Sequence, residues 1–307
     1  MNQERDFQLA QDQLHRGQID QSIETLAEML GEDPDYADAH ALLALCLVRK
    51  KRLHAARLEA TRSLELEPDS VFSHVAVATC EMADRRFASA ERHLHDAMSL
   101  APHSTLARYE LAHLYLLWGR EDDAEAQIES ACQLQPDDAE LWALRGRVAS
   151  VKGDKTGARQ FAAEALELDP EQVDALVLLG ELDLAEGDVA AARQHAAWAL
   201  HQNPEDVGAI TLIGSIKARQ NLILGIWWRF QSFISAGSRT RAVALLVGMY
   251  VTYRVAVILL EENGLKEWAP FAQGLWLAFC VYTWVAPSLF LRALKKELAQ
   301  VRLDASF

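Results

Sequence analysis

The sequence predicts an all-α chain, in which a quasi-one-dimensional stack of short helical pairs is followed by two apolar helices of membrane-spanning length. Three observations predict it. Six of the eight prolines, Pro34, Pro68, Pro102, Pro136, Pro170 and Pro204, stand 34 residues apart. Ala56, Ala90, Ala124, Ala158 and Ala192 keep the same interval in another register. Beyond residue 240 the polar, acidic composition gives way to the runs AVALLVGMYVTYRVAVILL and, shortly after, one of 24 residues from Trp268 to Leu291.

Proline ends a helix because it has no N–H to donate and crowds the preceding turn, so the interval marks equivalent helix ends. Within each period a second break falls in register at Gly17, at KKR (50–52), at DRR (84–86), and at Gly119, Gly153 and Gly187. Each period is therefore two helices. Neither buries its apolar stripe alone, and stacked neighbours supply the cover. The register gives six full repeats starting at Gln3, Ala37, Val71, Thr105, Ala139 and Val173, with a degenerate seventh from Val207, so that residues 1–220 form one solenoid.

These features resemble the tetratricopeptide repeat, whose signature is W-x-x-L-G-x-x-Y, then A-x-x-x-F, then a closing proline. The match is distributed over Trp142 and Gly146, Leu179 and Gly180, Leu111 and Tyr115, and the alanines and prolines above, and no single repeat carries the whole signature. The resemblance implies a right-handed superhelix whose first helices line a concave groove through repeat positions 2, 5, 9, 12 and 13. Carried onto the middle repeats, it places Leu45, Val48, Arg49, Phe72, Val75, Met82, Leu106, Tyr109, His113, Leu116 and Leu117 on that wall. The expected groove is apolar and aromatic, suited to an amphipathic helix or extended peptide of a protein partner. The carboxylate clamp that this family uses to hold chaperone tails needs Lys, Asn and Arg where this chain has residues such as Phe7, Ala41, Leu45, Val75, Tyr109 and His113, so that use is not expected.

Charge divides the chain the same way. Residues 1–220 hold 39 acids and 21 bases, whereas residues 221–307 hold 5 acids and 9 bases, within a formal net charge of −14. An acidic solenoid repels phosphate backbones and excludes nonspecific nucleic-acid binding. Cys46, Cys80, Cys132 and Cys280 show no metal or disulfide spacing, and the polar start MNQERDFQLA is not a signal peptide.

Residues 221–240 place Leu222, Ile223, Ile226, Trp227, Phe230, Phe233 and Ile234 on one helical face, which fits a cap on the solenoid or an interfacial helix. Residues 242–260 and 268–291 are expected to span the bilayer as a tight hairpin contacting lipid, with a basic tail, in the 241–307 region. Arg229, Arg239 and Arg241 before the first span, and Arg292, Lys295 and Lys296 after the second, put both flanks and the repeats in the cytoplasm of a multi-pass protein. A bacterial inner membrane is the expected setting. Arg254 falls inside the first span, where an uncompensated guanidinium costs about 2.5–3.5 kcal/mol. In this reading it pairs with Gln273 or backbone carbonyls of the hairpin, reaches lipid phosphate, or engages a membrane partner or sister subunit.

No G-x-G-x-x-G, P-loop, H-E-x-x-H or G-x-S-x-G motif occurs. No catalytic, cofactor-binding or metal-ligating residue is expected. His93 and His95 are two apart and face different sides of a helix, while His40 and His74 share repeat position 4, a packing position. Two functions follow: a membrane-anchored scaffold whose groove recruits a partner, or a regulatory or assembly subunit of a membrane transport or envelope-building complex in which the hairpin makes the main contact.

Overall fold

The computed structural model describes residues 3–220 and 239–262, together with individual positions between 268 and 285. Thirteen helices follow one another without a strand among the described residues: Gln3–His15 (α1), Ile19–Glu32 (α2), Ala37–Arg49 (α3), Leu53–Leu66 (α4), Val71–Ala83 (α5), Phe87–Leu100 (α6), Thr105–Trp118 (α7), Glu121–Leu134 (α8), Ala139–Val151 (α9), Lys155–Leu168 (α10), Val173–Glu186 (α11), Val189–Gln202 (α12) and Val207–Gln220 (α13). A fourteenth, α14, covers Arg239–Glu262. Odd and even helices pair as antiparallel hairpins, and each hairpin packs on the next.

Local chemistry sets these limits. The even helices α2 to α12 end two residues before the periodic prolines, because the residue preceding proline is pushed out of the α region. The odd helices α5, α7, α9 and α11 are capped by Ser70, Ser104, Asp138 and Gln172, whose side chains accept from N–H groups of the first turn. Each such cap contributes about 1 kcal/mol. A further bond closes each joint. The side chain at repeat position 4 donates to the carbonyl of the preceding proline: His40 Nε2 to Pro34 (2.9 Å), His74 Nε2 to Pro68 (3.0 Å), Arg108 Nη2 to Pro102 (2.9 Å) and Trp142 Nε1 to Pro136 (2.7 Å).

Helix pairs meet at small residues. Ala56, Ala90, Ala124, Ala158 and Ala192 are wholly enclosed. Opposite Ala158, a Cβ on Gly146 would stand 3.2 Å from the Ala158 carbonyl oxygen, so that glycine lets the two helices approach closely. Around these contacts Leu26, Leu94, Leu111, Leu114, Ile128 and Leu178 are fully buried, each contributing about 1.5–3 kcal/mol relative to exposure. Cys46, Cys80 and Cys132 lie in this core. Burial pushes the Cys80 thiol up to about 12 and the Cys132 thiol to about 11, so both stay protonated and unreactive.

The apolar C-terminal runs have a different outcome from the one expected. Among the described residues no helix is long and apolar enough to cross a membrane, and the two-span hairpin is not found there. At 24 residues α14 measures about 36 Å, but Arg254 divides its apolar sequence, and much of 268–291 lies outside the described residues. The two runs do touch. Trp276 stacks on Tyr253 with ring centroids 4.8 Å apart and planes 9° from parallel, and stands 6.0 Å from Tyr250. Away from that contact α14 exposes Val247, Val251, Val255, Ile258 and Leu259. The cap or interfacial helix expected over 221–240 falls, but for its last two residues, outside the described residues.

The turn inside each repeat needs a left-handed residue. Gly17, Gly119, Gly153 and Gly187 supply it, but in the second and third repeats Lys51 and Arg85 take the same role at φ 59°. A side chain in that conformation costs about 1–2 kcal/mol, offset in part by the stiffer unfolded chain. Lys51→Gly and Arg85→Gly should each stabilise the solenoid by about 0.5–1 kcal/mol, whereas Gly119→Ala, which meets no atom within 4 Å, should destabilise it through backbone strain alone. Urea unfolding of the three variants measures both signs.

Candidate partner-binding groove

The odd helices line a concave cavity of about 590 Å³ that gathers side chains from almost the whole length of the solenoid. His15 enters from α1, Arg49 from α3, Tyr109, His113 and Leu116 from α7, Glu140 and Arg147 from α9, Asp174 from α11, and Asn203 and Asp206 from the turn before α13. The first and sixth repeats can share a cavity because the superhelix closes on itself. The Asn203 side chain lies where a Cβ on Gly17 would stand, so the turn of the first repeat and the end of the sixth are in contact. A neighbouring recess of about 730 Å³ follows that seam, lined by Arg16, Gly17, Lys50, Glu171 and Asn203 among others.

The wall differs from the apolar one expected. Of the residues assigned to it from sequence, Arg49, Tyr109, His113 and Leu116 line the cavity. Val75 and Met82 are buried, at 1% and 5% exposure, and belong to the core that holds α7 in place. Leu45, Val48 and Phe72 are half-buried and pack among α3 and its neighbours, Phe72 edge-on to Phe7 at 6.4 Å. Leu106 and Leu117 are exposed at 41% and 49% without lining the cavity. Arg254 and Gln273 are both exposed, and no hydrogen bond joins them among the described residues.

What fills the cavity wall instead is acid. Asp138, Glu140, Asp169, Glu171, Asp174 and Asp206 all contribute to it. Glu140 and Asp174 occupy position 2 of the fifth and sixth repeats, and Arg147 position 9 of the fifth. The positional rule that picks Phe72 and Leu106 therefore reaches them too when extended two repeats further. Repeat position alone does not reveal that Glu140 stands near His15 or Asp174 near Arg49, since those pairs exist only through closure.

Concavity sets the electrostatics. Water reaches Glu140 and Asp174, both exposed by surface area, yet protein surrounds them on most sides. Desolvation pushes both carboxyls above their ordinary range, and neighbouring acids add to this, Asp206 in the case of Asp174. Desolvation also raises the Tyr109 phenol well above its usual value, assisted by the facing Glu140 carboxylate, so the hydroxyl remains a donor. His113 is held above its usual value chiefly by the Glu110 carboxylate, whose oxygen is 4.0 Å from Nδ1, against the opposing effect of burial. Arg147 is committed to an ion pair with Glu181. The wall thus retains several carboxylates without a dedicated base.

Comparisons with known proteins agree on the architecture. A family model described as tetratricopeptide repeat matches residues 13–74, 81–148 and 152–215, more than half of the chain. A crystal structure of a thermophilic TPR protein from Thermus thermophilus is similar with a TM-score of 0.55 at 20% identity, covering 59% of this chain and 99% of that one. The APC/C hetero-tetramer Cut9-Hcn1 is similar with a TM-score of 0.61 at 16% identity, covering 93% of this chain and 54% of that one. At these identities the likeness is one of fold. A comparison with curated proteins found no match.

Because folding raises the Glu140 and Asp174 pKa values, the folded chain holds those protons more tightly than the unfolded one. Their contribution to stability is complete below the ordinary carboxylate range and is lost as pH rises through the raised values. Glu140→Gln combined with Asp174→Asn should therefore raise the melting temperature at neutral pH, and the difference should vanish on acidification below the ordinary range. Thermal melts of both chains across that interval measure it.

Proposed function

Since the chain belongs to the tetratricopeptide-repeat family, we propose that it is a protein-interaction scaffold whose closed superhelix takes a partner segment carrying lysine or arginine beside an apolar anchor. The observation that carries this reading is the convergence of Asp138, Glu140, Asp169, Glu171, Asp174 and Asp206 on one cavity that also presents Tyr109 and Leu116. Carboxylates held at partial desolvation gain most when a cation replaces the missing water, and complementary charge both steers encounter and rejects acidic competitors. Tyr109 and Leu116 supply the apolar contact that fixes register. No catalytic step is assigned.

We further propose that residues 242–260 and 268–291 tether the scaffold to a membrane, with the repeats on the cytoplasmic side of a bacterial inner membrane. The hydropathy of both runs supports this, as does the exposed apolar side of α14 from Val247 to Leu259, which requires lipid or protein cover. Tethering would raise the local concentration of the groove near membrane-bound partners without any new contact. A second reading is favoured by Arg254, which shares that exposed side with Val247, Val251 and Ile258: the helix contacts a subunit of a membrane complex through an acidic group.

Charge reversal separates these proposals. Glu140→Lys with Asp174→Lys should weaken binding of basic peptides at least tenfold, about 1.4 kcal/mol, while leaving membrane association unchanged. Equal binding by the reversed groove would remove the acidic site. Carbonate washing tests the tether, since release of the intact chain as a monodisperse species would remove it. Arg254→Leu should disrupt complex assembly only under the second reading.

A further inference from the structure

We propose that His74, His93 and Asp96 form a Zn²⁺ site that clamps the two helices of the third repeat together. One ligand atom from each residue lies within 4.8 Å of the other two. His74 comes from α5, and His93 and Asp96 from α6. His74 is the most enclosed, His93 half-buried and Asp96 exposed. The sequence conceals this set, because the two histidines are 19 residues apart and meet only when the hairpin forms.

The geometry is that of a metal pair. The two Nδ1 atoms are 3.3 Å apart. Two imidazole nitrogens bound to tetrahedral Zn²⁺ at about 2.0–2.1 Å stand about 3.4 Å from one another. The tautomer of His74 is fixed as well. Its Nε2 is 3.0 Å from the Pro68 carbonyl oxygen, which only accepts, so Nε2 carries the proton and Nδ1 directs a lone pair toward His93. A carbonyl holding the distal N–H is the support that metal-bound histidines regularly have. Asp96 follows His93 by three residues on the same helix, which puts its carboxylate on the same face, and its exposure leaves it free to rotate inward.

The other repeats provide an internal comparison. The places equivalent to His74 and His93 are filled by His40 and Glu59, joined at 2.6 Å, by Arg108 and Gln127 at 3.3 Å, and by the rings of Trp142 and Phe161, 5.9 Å apart and tilted by 36°. Each is a satisfied joint between the two helices. The place equivalent to Asp96 is Arg62 in the second repeat and Ser130 in the fourth. Among the described residues only the third repeat combines two imidazoles and a carboxylate. A donor set of two nitrogens and one oxygen suits Zn²⁺ with a water in the fourth position, and is a poor match for Ca²⁺ or Mg²⁺, which take oxygens. An ion bound by the folded hairpin and not by the unfolded chain stabilises it in proportion to the logarithm of its concentration.

Calorimetric titration of the full chain with ZnCl₂, paired with thermal melts, tests the site. The expected result is a saturable equivalent of Zn²⁺ that raises the melting temperature, is lost in His93→Gln and is at least about tenfold weaker in Asp96→Asn. His40→Gln, at the matching place one repeat earlier, should bind as the parent does. Asp96 is exposed and Asp96→Asn is expected to fold, so it decides the matter should His93→Gln misfold. Absence of a saturable equivalent, or unchanged affinity and stoichiometry in Asp96→Asn, would overturn the site and leave a hydrogen-bonded histidine joint.

Discussion

Everything in the superhelix rests on one steric constraint: the two helices of each repeat approach at a side chain no larger than serine. The five alanines at that place, from Ala56 to Ala192, are wholly enclosed, and in the first repeat Ser22 takes it, its hydroxyl donating to the Ala10 carbonyl at 2.8 Å. Any branched side chain there would separate the helices and strand the leucines beyond. Close approach presents a narrow apolar ridge to the next repeat, which makes stability a matter of nearest neighbours. The prolines, the serine and aspartate caps and the left-handed turns then fix where each helix begins and stops, so that the ridge recurs in the same orientation.

A small rotation repeated between equal units accumulates. After six repeats it has brought the turn at Gly17 against Asn203, converting an open groove into a cavity enclosed on most sides. Enclosure is what gives the acids their character. The same carboxylates on an open face would be ordinary solvated groups, whereas here protein replaces part of their water and their charges reinforce one another. Closure also brings distant repeats within electrostatic reach, Arg49 of Asp174 and His15 of Glu140.

Repetition lets side chains diverge at one fixed place without disturbing the frame. Position 4 keeps its bond to the preceding proline carbonyl whether it is histidine, arginine or tryptophan. Its partner on the second helix is then free to vary, and in the third repeat that freedom places two imidazoles together. The scaffold holds such a pair in register at no cost to the core, since Leu94 and Ala97 beside it remain buried.

By itself the sequence determined the repeat length, the helix ends and the small-residue contacts, because each follows from an interaction within one repeat or between adjacent ones: proline sterics, capping, and the 34-residue register. It also determined that the C-terminal runs are apolar. Only the tertiary structure decided which wall residues face the cavity, since Val75 and Met82 obey the same positional rule as Tyr109 and Leu116 but turn into the core. It alone brought Glu140, Asp174, Arg49 and His15 together, and His74 to His93. Those juxtapositions depend on the angle between repeats and on how the two helices of a hairpin face each other, quantities summed over many weak packing contacts that no single stretch of sequence encodes.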